Sequence, residues 1–324
     1  LLLGEGAGRV RLFWRCANGE GLLFLVFRSD RMKKSATATG GLYNVLSQPS
    51  SPRFRMKLRP SRILRELRSG QNSTVLKLNL GDPRIVELAG LAGASAVWLC
   101  NEHVPNDWLN LEHQVRAAKL HDLDTIVRVN KGGYSEYVKP FECDATGIMV
   151  PHVTSADEAR QVVDMVRCRP LGSKALDAGN MDGLFCQVPL ADYAHHCNTE
   201  KFVILQIESP EALEVVDEIA AVPGFDMLLF GAGDFSHRIG KLGQATHPEV
   251  VAARKKVAAA ALRHGKYPAV ASLYGQKEEV LAEGTRVFTL GADVLELGNA
   301  FKKLVSDFGG ATGASQGDSI YRSK

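Results

Sequence analysis

A short apolar run followed by an amphipathic helical stretch recurs eight times along this chain, and that rhythm constrains the fold more than any other feature. Strands are predicted at Thr74–Asn79, Ala96–Asn101, Thr125–Asn130, Gly147–Pro151, Phe202–Glu208, Met227–Gly231, Tyr267–Ser272 and Val287–Leu290. Helical patterns lie between them, among them Pro83–Ala92, Leu111–His121, Ala156–Arg167, Pro210–Ala221, Pro248–His264 and Gln276–Glu283, with Ala292–Phe308 after the last strand. Strands that are apolar on both faces suit a parallel sheet covered by helices. Repeated strand–helix alternation at this density fits a closed barrel better than an open doubly wound sheet. The predicted class is therefore α/β, a single (β/α)8 TIM barrel. No glycine-rich phosphate-binding signature opens any of the helices, which weakens a nucleotide-binding reading.

The barrel is expected over residues 56–309, beginning with a short amphipathic helix, Arg62–Arg68, closed by Gly70. Residues 1–55 show no sustained period and end in Ser/Pro/Arg-rich sequence, so a disordered or spurious extension is expected there, and a flexible tail over 310–324. The net charge of +3 is too small to argue for nucleic acid. Its sign comes from the front segment, which leaves the barrel slightly acidic. Apolar residues at 45% and charged residues at 23% are ordinary for a soluble globular protein. The longest apolar run, Gly21–Phe27, is far short of the roughly 20 residues that span a bilayer. Basic residues follow it where a cleavage site would lie, so no membrane contact is expected. The 6 cysteines are scattered without a CxxC pair and read as free thiols in a reducing, cytoplasmic setting. A long connection over residues 169–200, with a helical piece near Leu190–Cys197, is expected to lie over the catalytic mouth as a binding loop.

Barrel enzymes draw their chemistry from the carboxyl ends of the strands. There the sequence places Asn101-Glu102-His103 after the second strand, Arg128 after the third and His152 after the fourth. Gln206 and Glu208 end the fifth strand, and Gly231-Ala232-Gly233-Asp234-Phe235-Ser236 follows the sixth. Glu208 and Asp234, on neighbouring strands, suit a hard divalent cation such as Mg²⁺ or Mn²⁺, while Gly231 and Gly233 allow close backbone approach. Zinc is disfavoured because paired Cys/His spacing is lacking. His103 is the candidate acid/base, with Glu102 as a neighbour and His152 as a rival. Arg128 has the fork geometry for a substrate carboxylate, or alternatively for a structural ion pair. Together these groups suit a 2-oxo acid whose enolate a metal stabilises while a neighbouring C–C bond breaks. A Schiff-base route would need a strand-end lysine; Lys77 and Lys131 are the candidates, neither with companions.

These motifs resemble those of the HpcH/HpaI aldolase/citrate lyase family, in particular its class II pyruvate aldolases, such as 4-hydroxy-2-oxoheptanedioate and 2-dehydro-3-deoxyglucarate aldolases. The resemblance rests on Glu102-His103 with Pro105-Asn106, on Val127-Arg128, and on Ile148–Pro151 with Ala156–Ala159. Gln206-Ile207-Glu208 and Gly231-x-x-Asp234-x-Ser236 complete it. It implies a metal-dependent aldolase that reversibly cleaves a 4-hydroxy-2-oxo acid to pyruvate, or hydroxypyruvate, and an aldehyde. Glu208 and Asp234 would hold Mg²⁺, Mn²⁺ or Co²⁺, His103 would be the base, and Arg128 would hold the pyruvyl end. Gln206, Gly231, Ala232, Gly233 and Ser236 would line the substrate. The resemblance also implies a homohexamer, a trimer of dimers with exchanged C-terminal helices, in which Glu142 reaches a neighbouring site.

Three positions depart from the family's pattern. Cys100 stands where an Asp orients the base His, Gly172-Ser-Lys174-Ala replaces Gly-x-Arg-Gly, and the segment Leu176–Gly183 is unlike the type enzyme. An oxaloacetate-type decarboxylase on the same metal site is the alternative reading, and a catalytically inactive barrel scaffold the third.

Overall fold

The computed structural model describes residues 57–309 except Tyr274, together with two short strands ahead of them. The chain divides into two compact units, Leu1–Phe54 and Arg55–Lys324. In the first, Arg9–Leu12 and Leu25–Arg28 pair antiparallel, Arg9 opposite Arg28. The remaining expectations for residues 1–55, and the tail expected over 310–324, lie outside the described residues.

The second unit is a closed barrel of eight parallel strands. In chain order these are β1 (Ser73–Leu78), β2 (Ala96–Cys100), β3 (Asp124–Arg128), β4 (Gly147–Val150), β5 (Phe202–Ile207), β6 (Met227–Phe230), β7 (Tyr267–Val270) and β8 (Val287–Ala292). Each pairs with the next, and β8 closes on β1 with Val287 opposite Ser73. Every predicted strand is present, with ends shifted by no more than 2 residues.

Alternation along each strand divides the apolar side chains between two cores. Val75, Ala96, Trp98, Ile126, Met149, Phe202, Ile204, Met227, Leu229, Ala269 and Val287 fill the lumen. Ile63, Leu64 and Leu67 of α1 (Arg62–Arg68) join them and plug the amino end. The outward set, including Val97, Leu99, Val127, Ile148, Val203 and Leu205, packs beneath the surrounding helices. Gly147 belongs to the lumen for a steric reason: a Cβ there would lie 2.0 Å from the ring of Phe202.

Local signals set the helix starts. Asp82 caps α2 (Pro83–Leu91), Asp107 caps α3 (Trp108–Lys119), and Ser155 caps α5 (Ala156–Val166), each accepting a backbone N–H of the first turn. Between these lies α4 (Tyr134–Glu142), which carries Pro140, a residue that reads as a breaker but sits in the last turn. After α6 (Leu190–Thr199), the helix predicted over 210–221 is two pieces, α7 (Pro210–Glu214) and α8 (Val216–Ala220). They are separated at Val215. The glycine-rich run after β6 forms α9 (Ala232–Arg238). The ring is completed by α10 (Pro248–Arg263), α11 (Lys277–Ala282) and α12 (Asp293–Asp307).

The expected position of the 169–200 connection is corrected. It leads from the end of α5 to the start of β5, and helix-to-strand connections of a barrel lie at its amino end, away from the mouth. Its contacts agree. Cys168 and Asn198 exchange hydrogen bonds and Glu200 receives Ser61 N at 3.0 Å, while in its middle Ala175 N reaches Tyr134 Oη at the first turn of α4, so the segment climbs the outside of the barrel from the amino end. Loop length signalled an unusual segment; the order of helix and strand decides which end it covers.

Candidate active site

One step beyond the apolar lining, the same inward parity brings Lys77, Cys100, Arg128, Gln206 and Glu208 to the carboxyl mouth, all buried. Gly231 follows on β6 and leaves room for the others. A Cβ at Gly231 would come within 2.7 Å of Glu208 Oε2 and 2.9 Å of Gln206 Nε2.

Glu208 is the most enclosed carboxylate of the mouth, 1% exposed. Its Oε1 accepts the backbone N–H of His152 at 2.7 Å and lies 2.8 Å from His152 Nδ1, while its Oε2 accepts from Gln206 Nε2. His152 stands in the left-handed region at φ 53°, a conformation costly for a non-glycine residue that its bond to Glu208 helps hold. Lys131 Nζ secures the same turn by donating to His152 O at 2.6 Å and pairing with Glu158 at 2.9 Å, which commits this lysine to structure. Contact with Glu208 raises the His152 pKa above the ordinary imidazole value; burial opposes the shift, and the charges of Glu102 and Asp234 reinforce it.

Glu102 is the hub of the opposite side. Its Oε2 lies 3.0 Å from Arg128 Nε and 3.6 Å from His103 Nε2, and its Oε1 lies 3.2 Å from His152 Nε2. Arg128 is fixed on two further sides. Its Nε and Nη2 donate to Cys100 Sγ at 3.3 and 3.1 Å, and its guanidinium lies 4.9 Å from the centre of the Trp98 ring. Cys100 therefore holds the arginine, with a backbone bond from His103 N at 3.4 Å, while the carboxylate near the His103 ring is Glu102. His103 itself points outward, its side chain 61% exposed.

The remaining predicted residues divide. Asp234 lies in the first turn of α9, half-buried, close enough for its charge to act on His152. Gly231, Ala232 and Gly233 open that helix beside Glu208. Ser236 is buried, with its hydroxyl donated to Gly233 O at 2.8 Å inside the helix. Glu142 ends α4, which runs from the carboxyl end of β3 to the amino end of β4, so within one chain it lies on the side away from the mouth. Sequence reasoning missed the Cys100–Arg128 contact and the hub role of Glu102. Inward parity carried from Trp98 to Cys100 was the available signal for the first.

The mouth fits a hard cation. Around Glu208, Gln206 Oε1 is buried without a hydrogen bond, while His152 Nδ1 and Glu102 Oε2 meet only charged partners, Glu208 at 2.8 Å and Arg128 at 3.0 Å. Buried polar atoms without partners are uncommon and point to an absent ligand. Among the described residues no three His, Cys, Asp or Glu side chains form a complete metal cage. Two carboxylates suit an ion that keeps waters and takes further oxygens from its substrate.

Fold and site together define a barrel enzyme with a carboxylate-and-arginine mouth. The sequence profile of the HpcH/HpaI aldolase/citrate lyase family matches residues 74–300, and the chain belongs to that family. It is 30% identical over 272 residues to a hydroxypyruvate/pyruvate aldolase of Pseudomonas aeruginosa, covering 82% of this chain and 100% of the relative. A 5-keto-4-deoxy-D-glucarate aldolase of Klebsiella pneumoniae is 31% identical over 230 residues, 71% of this chain and 89% of its own length. The solved structure of an HpcH/HpaI aldolase from Desulfitobacterium hafniense matches at a TM-score of 0.71 and 26% identity, over 78% of this chain and 98% of that one. No helix among the described residues is long and apolar enough to cross a membrane.

Proposed function

We propose that this chain is a carbon–carbon lyase that reversibly splits a 4-hydroxy-2-oxo acid into pyruvate, or hydroxypyruvate, and an aldehyde. The observation that carries the reading is the enclosed Glu208 carboxylate in the space left by Gly231, beside the unpartnered Gln206 Oε1 and a rigidly held Arg128. The aldolases among its relatives support the reaction class.

Glu208 and Asp234 would hold Mg²⁺, Mn²⁺ or Co²⁺. A divalent cation there would polarise the 2-oxo group and neutralise the negative charge that develops on its oxygen. Arg128, held by Cys100, Glu102 and Trp98, presents its guanidinium to the substrate carboxylate with little freedom left to lose. His103 removes the proton of the 4-hydroxyl as the C3–C4 bond breaks, and the electron pair left on the pyruvyl fragment takes a proton at C3. His152 is the second reading for the proton carrier, favoured by its place between Glu102 and Glu208. Gln206, Gly231, Ala232 and Gly233 line the 2-oxo acid, with Ser236 supporting the turn.

Assembly belongs to the same proposal. Helix α12 has no buried residue, and Phe301 and Leu304 on it and Phe308 just after it are exposed. Beside it, Leu76, Leu78, Ile85, Leu88 and Ala89 line an apolar groove of 220 Å³. Both features suit exchange of α12 between subunits of a hexamer, with Glu142 acting at a neighbour's site.

The test is an aldol screen with Mn²⁺, pyruvate or hydroxypyruvate, and a panel of aldehydes, with products read by mass spectrometry. Activity should vanish with EDTA and return with Mn²⁺ or Mg²⁺. Turnover that persists in EDTA, or a borohydride-trapped lysine adduct, sinks the metal reading.

A further inference from the structure

Away from the mouth, two cysteines meet beneath the 169–200 segment. Cys168 follows the end of α5, and Cys197 lies on α6. Both are buried, 2% and 3% exposed, in a small apolar cluster of their own with Ala178, Val188 and Tyr193. Reciprocal clamps hold their backbones side by side. Asn198, next to Cys197, accepts Cys168 N at 2.9 Å and donates to Cys168 O at 3.0 Å. Arg167, next to Cys168, donates to Cys197 O at 2.9 Å and is itself fixed by Asp226 and the carbonyls of Gly224 and Lys201. Both thiols are free, and they hydrogen-bond to each other.

That bond sets the two sulfurs apart in reactivity. Donation from Cys197, reinforced by the charges of Lys174 and Arg167, brings the Cys168 pKa down to about 7 against burial and Asp182. The same bond, with burial, pushes Cys197 up. Lys174 is kept at the cluster by Tyr193, whose hydroxyl it meets at 2.9 Å and which donates to Asp182 Oδ2 at 2.6 Å. A thiolate is the nucleophile of thiol oxidation, and a thiol beside it resolves the product into a disulfide. We propose that Cys168 and Cys197 are a redox pair that closes into a reversible disulfide and staples α6 to the end of α5. With hydrogen peroxide as oxidant, the Cys168 thiolate attacks one peroxide oxygen and the O–O bond breaks. The hydroxide released takes a proton from solvent and leaves as water. The Cys197 sulfur then attacks the Cys168 sulfenic acid, the S–O bond breaks, and the departing hydroxide takes the Cys197 proton as a second water. The two sulfurs thus give two electrons to one peroxide. None of these residues belongs to the mouth, so the pair is independent of the proposed reaction.

The test uses the whole chain. Peroxide-treated protein, alkylated after unfolding and digested, should yield a peptide joining Cys168 to Cys197, lighter by two hydrogens, and dithiothreitol should restore both thiols. The melting temperature should rise by about 5 °C or more on oxidation and return on reduction, since the link closes a long loop of chain. Cys197→Ser should leave a sulfenic acid on Cys168 that dimedone labels, whereas Cys168→Ser should leave Cys197 unlabelled. Neither variant should gain in melting temperature. The exposed Cys186 serves as the control for surface oxidation. If Cys186 is oxidised while Cys168 and Cys197 stay open to alkylation, the redox pair is overturned, a result that needs no variant to fold. A link that forms only in urea, or one that joins either cysteine to Cys186 instead, would overturn it as well.

Discussion

The two ends of the barrel are built from the same strands yet treat buried polar groups in opposite ways. At the amino end, the fully buried Asp124 accepts Ser61 Oγ at 2.7 Å, Ile63 N at 2.9 Å and Arg59 Nη2 at 2.6 Å. Arg167 donates to the carbonyls of Gly224, Cys197 and Lys201 and pairs with Asp226. Burial would raise the Asp144 pKa, but Lys201 and Lys119 together hold it below the usual carboxylate value. At the carboxyl end, Gln206 keeps a buried Oε1 without a hydrogen bond, and Asn101 Oδ1 likewise. Each such atom costs about 1–3 kcal/mol. The amino end pairs its buried charges with one another and locks the fold, although His121 Nε2 and Thr285 Oγ1 there also lack hydrogen bonds; the carboxyl end gathers Glu102, Arg128, His152 and Glu208 into one cluster.

Substitutions at the two ends should therefore separate activity from stability. The largest effect is expected at Glu208→Gln, which should lower activity by about 10³-fold or more and abolish Mn²⁺ binding, while the melting temperature stays level or rises. A steady-state assay beside a thermal melt checks both halves, and an active variant would break the contrast. Asp124→Ala should do the reverse. Loss of this buried partner of Arg59 should cost about 3–5 kcal/mol in urea unfolding, with kcat of the folded fraction unchanged. Third comes Arg128→Lys, which cannot reproduce the hold of Cys100 and Glu102 together. A loss of about 10²-fold in kcat/KM for the 2-oxo acid is expected, with normal stability.

Two histidines sharpen the comparison through pH. At the amino end, burial and Lys201 push the His196 pKa down to about 4. A depressed folded-state value means the neutral form is stabilised. Its contribution is present above the unfolded pKa of about 6.5 and is lost as pH falls from there toward 4, about 3 kcal/mol in all. At the mouth, His152 is shifted the other way by Glu208. In metal-free protein its contribution is present below about 6.5 and is lost as pH rises through the raised value. His196→Gln should flatten the acid limb of stability against pH, and His152→Gln the alkaline limb. Identical limbs in both variants would contradict the opposite shifts.

Particular residues show why some of this was readable from sequence and some was not. Ala96-Val-Trp-Leu-Cys100 reads as a strand buried on both faces, and its alternation already assigns Trp98 and Cys100 to one side. Glu208 and Asp234 were readable as strand-end carboxylates because strand order alone brings β5 and β6 together. Glu102 and His103 look like a pair, yet the turn after β2 sends one into the mouth and the other toward solvent. The left-handed backbone of His152 has no glycine to announce it; a side chain 56 positions away sustains it.

By itself the sequence determined the closed barrel, through eight apolar runs alternating with helices, and with it the strand ends that must supply the chemistry. Period and order are local properties, and a barrel has few other ways to bury strands that are apolar on both faces. Only the tertiary structure decided which carboxylate holds Arg128, which histidine is clamped, and that Lys77 faces the same mouth. Those outcomes depend on distances of a few ångströms between strands remote in sequence, and on which buried polar groups find partners.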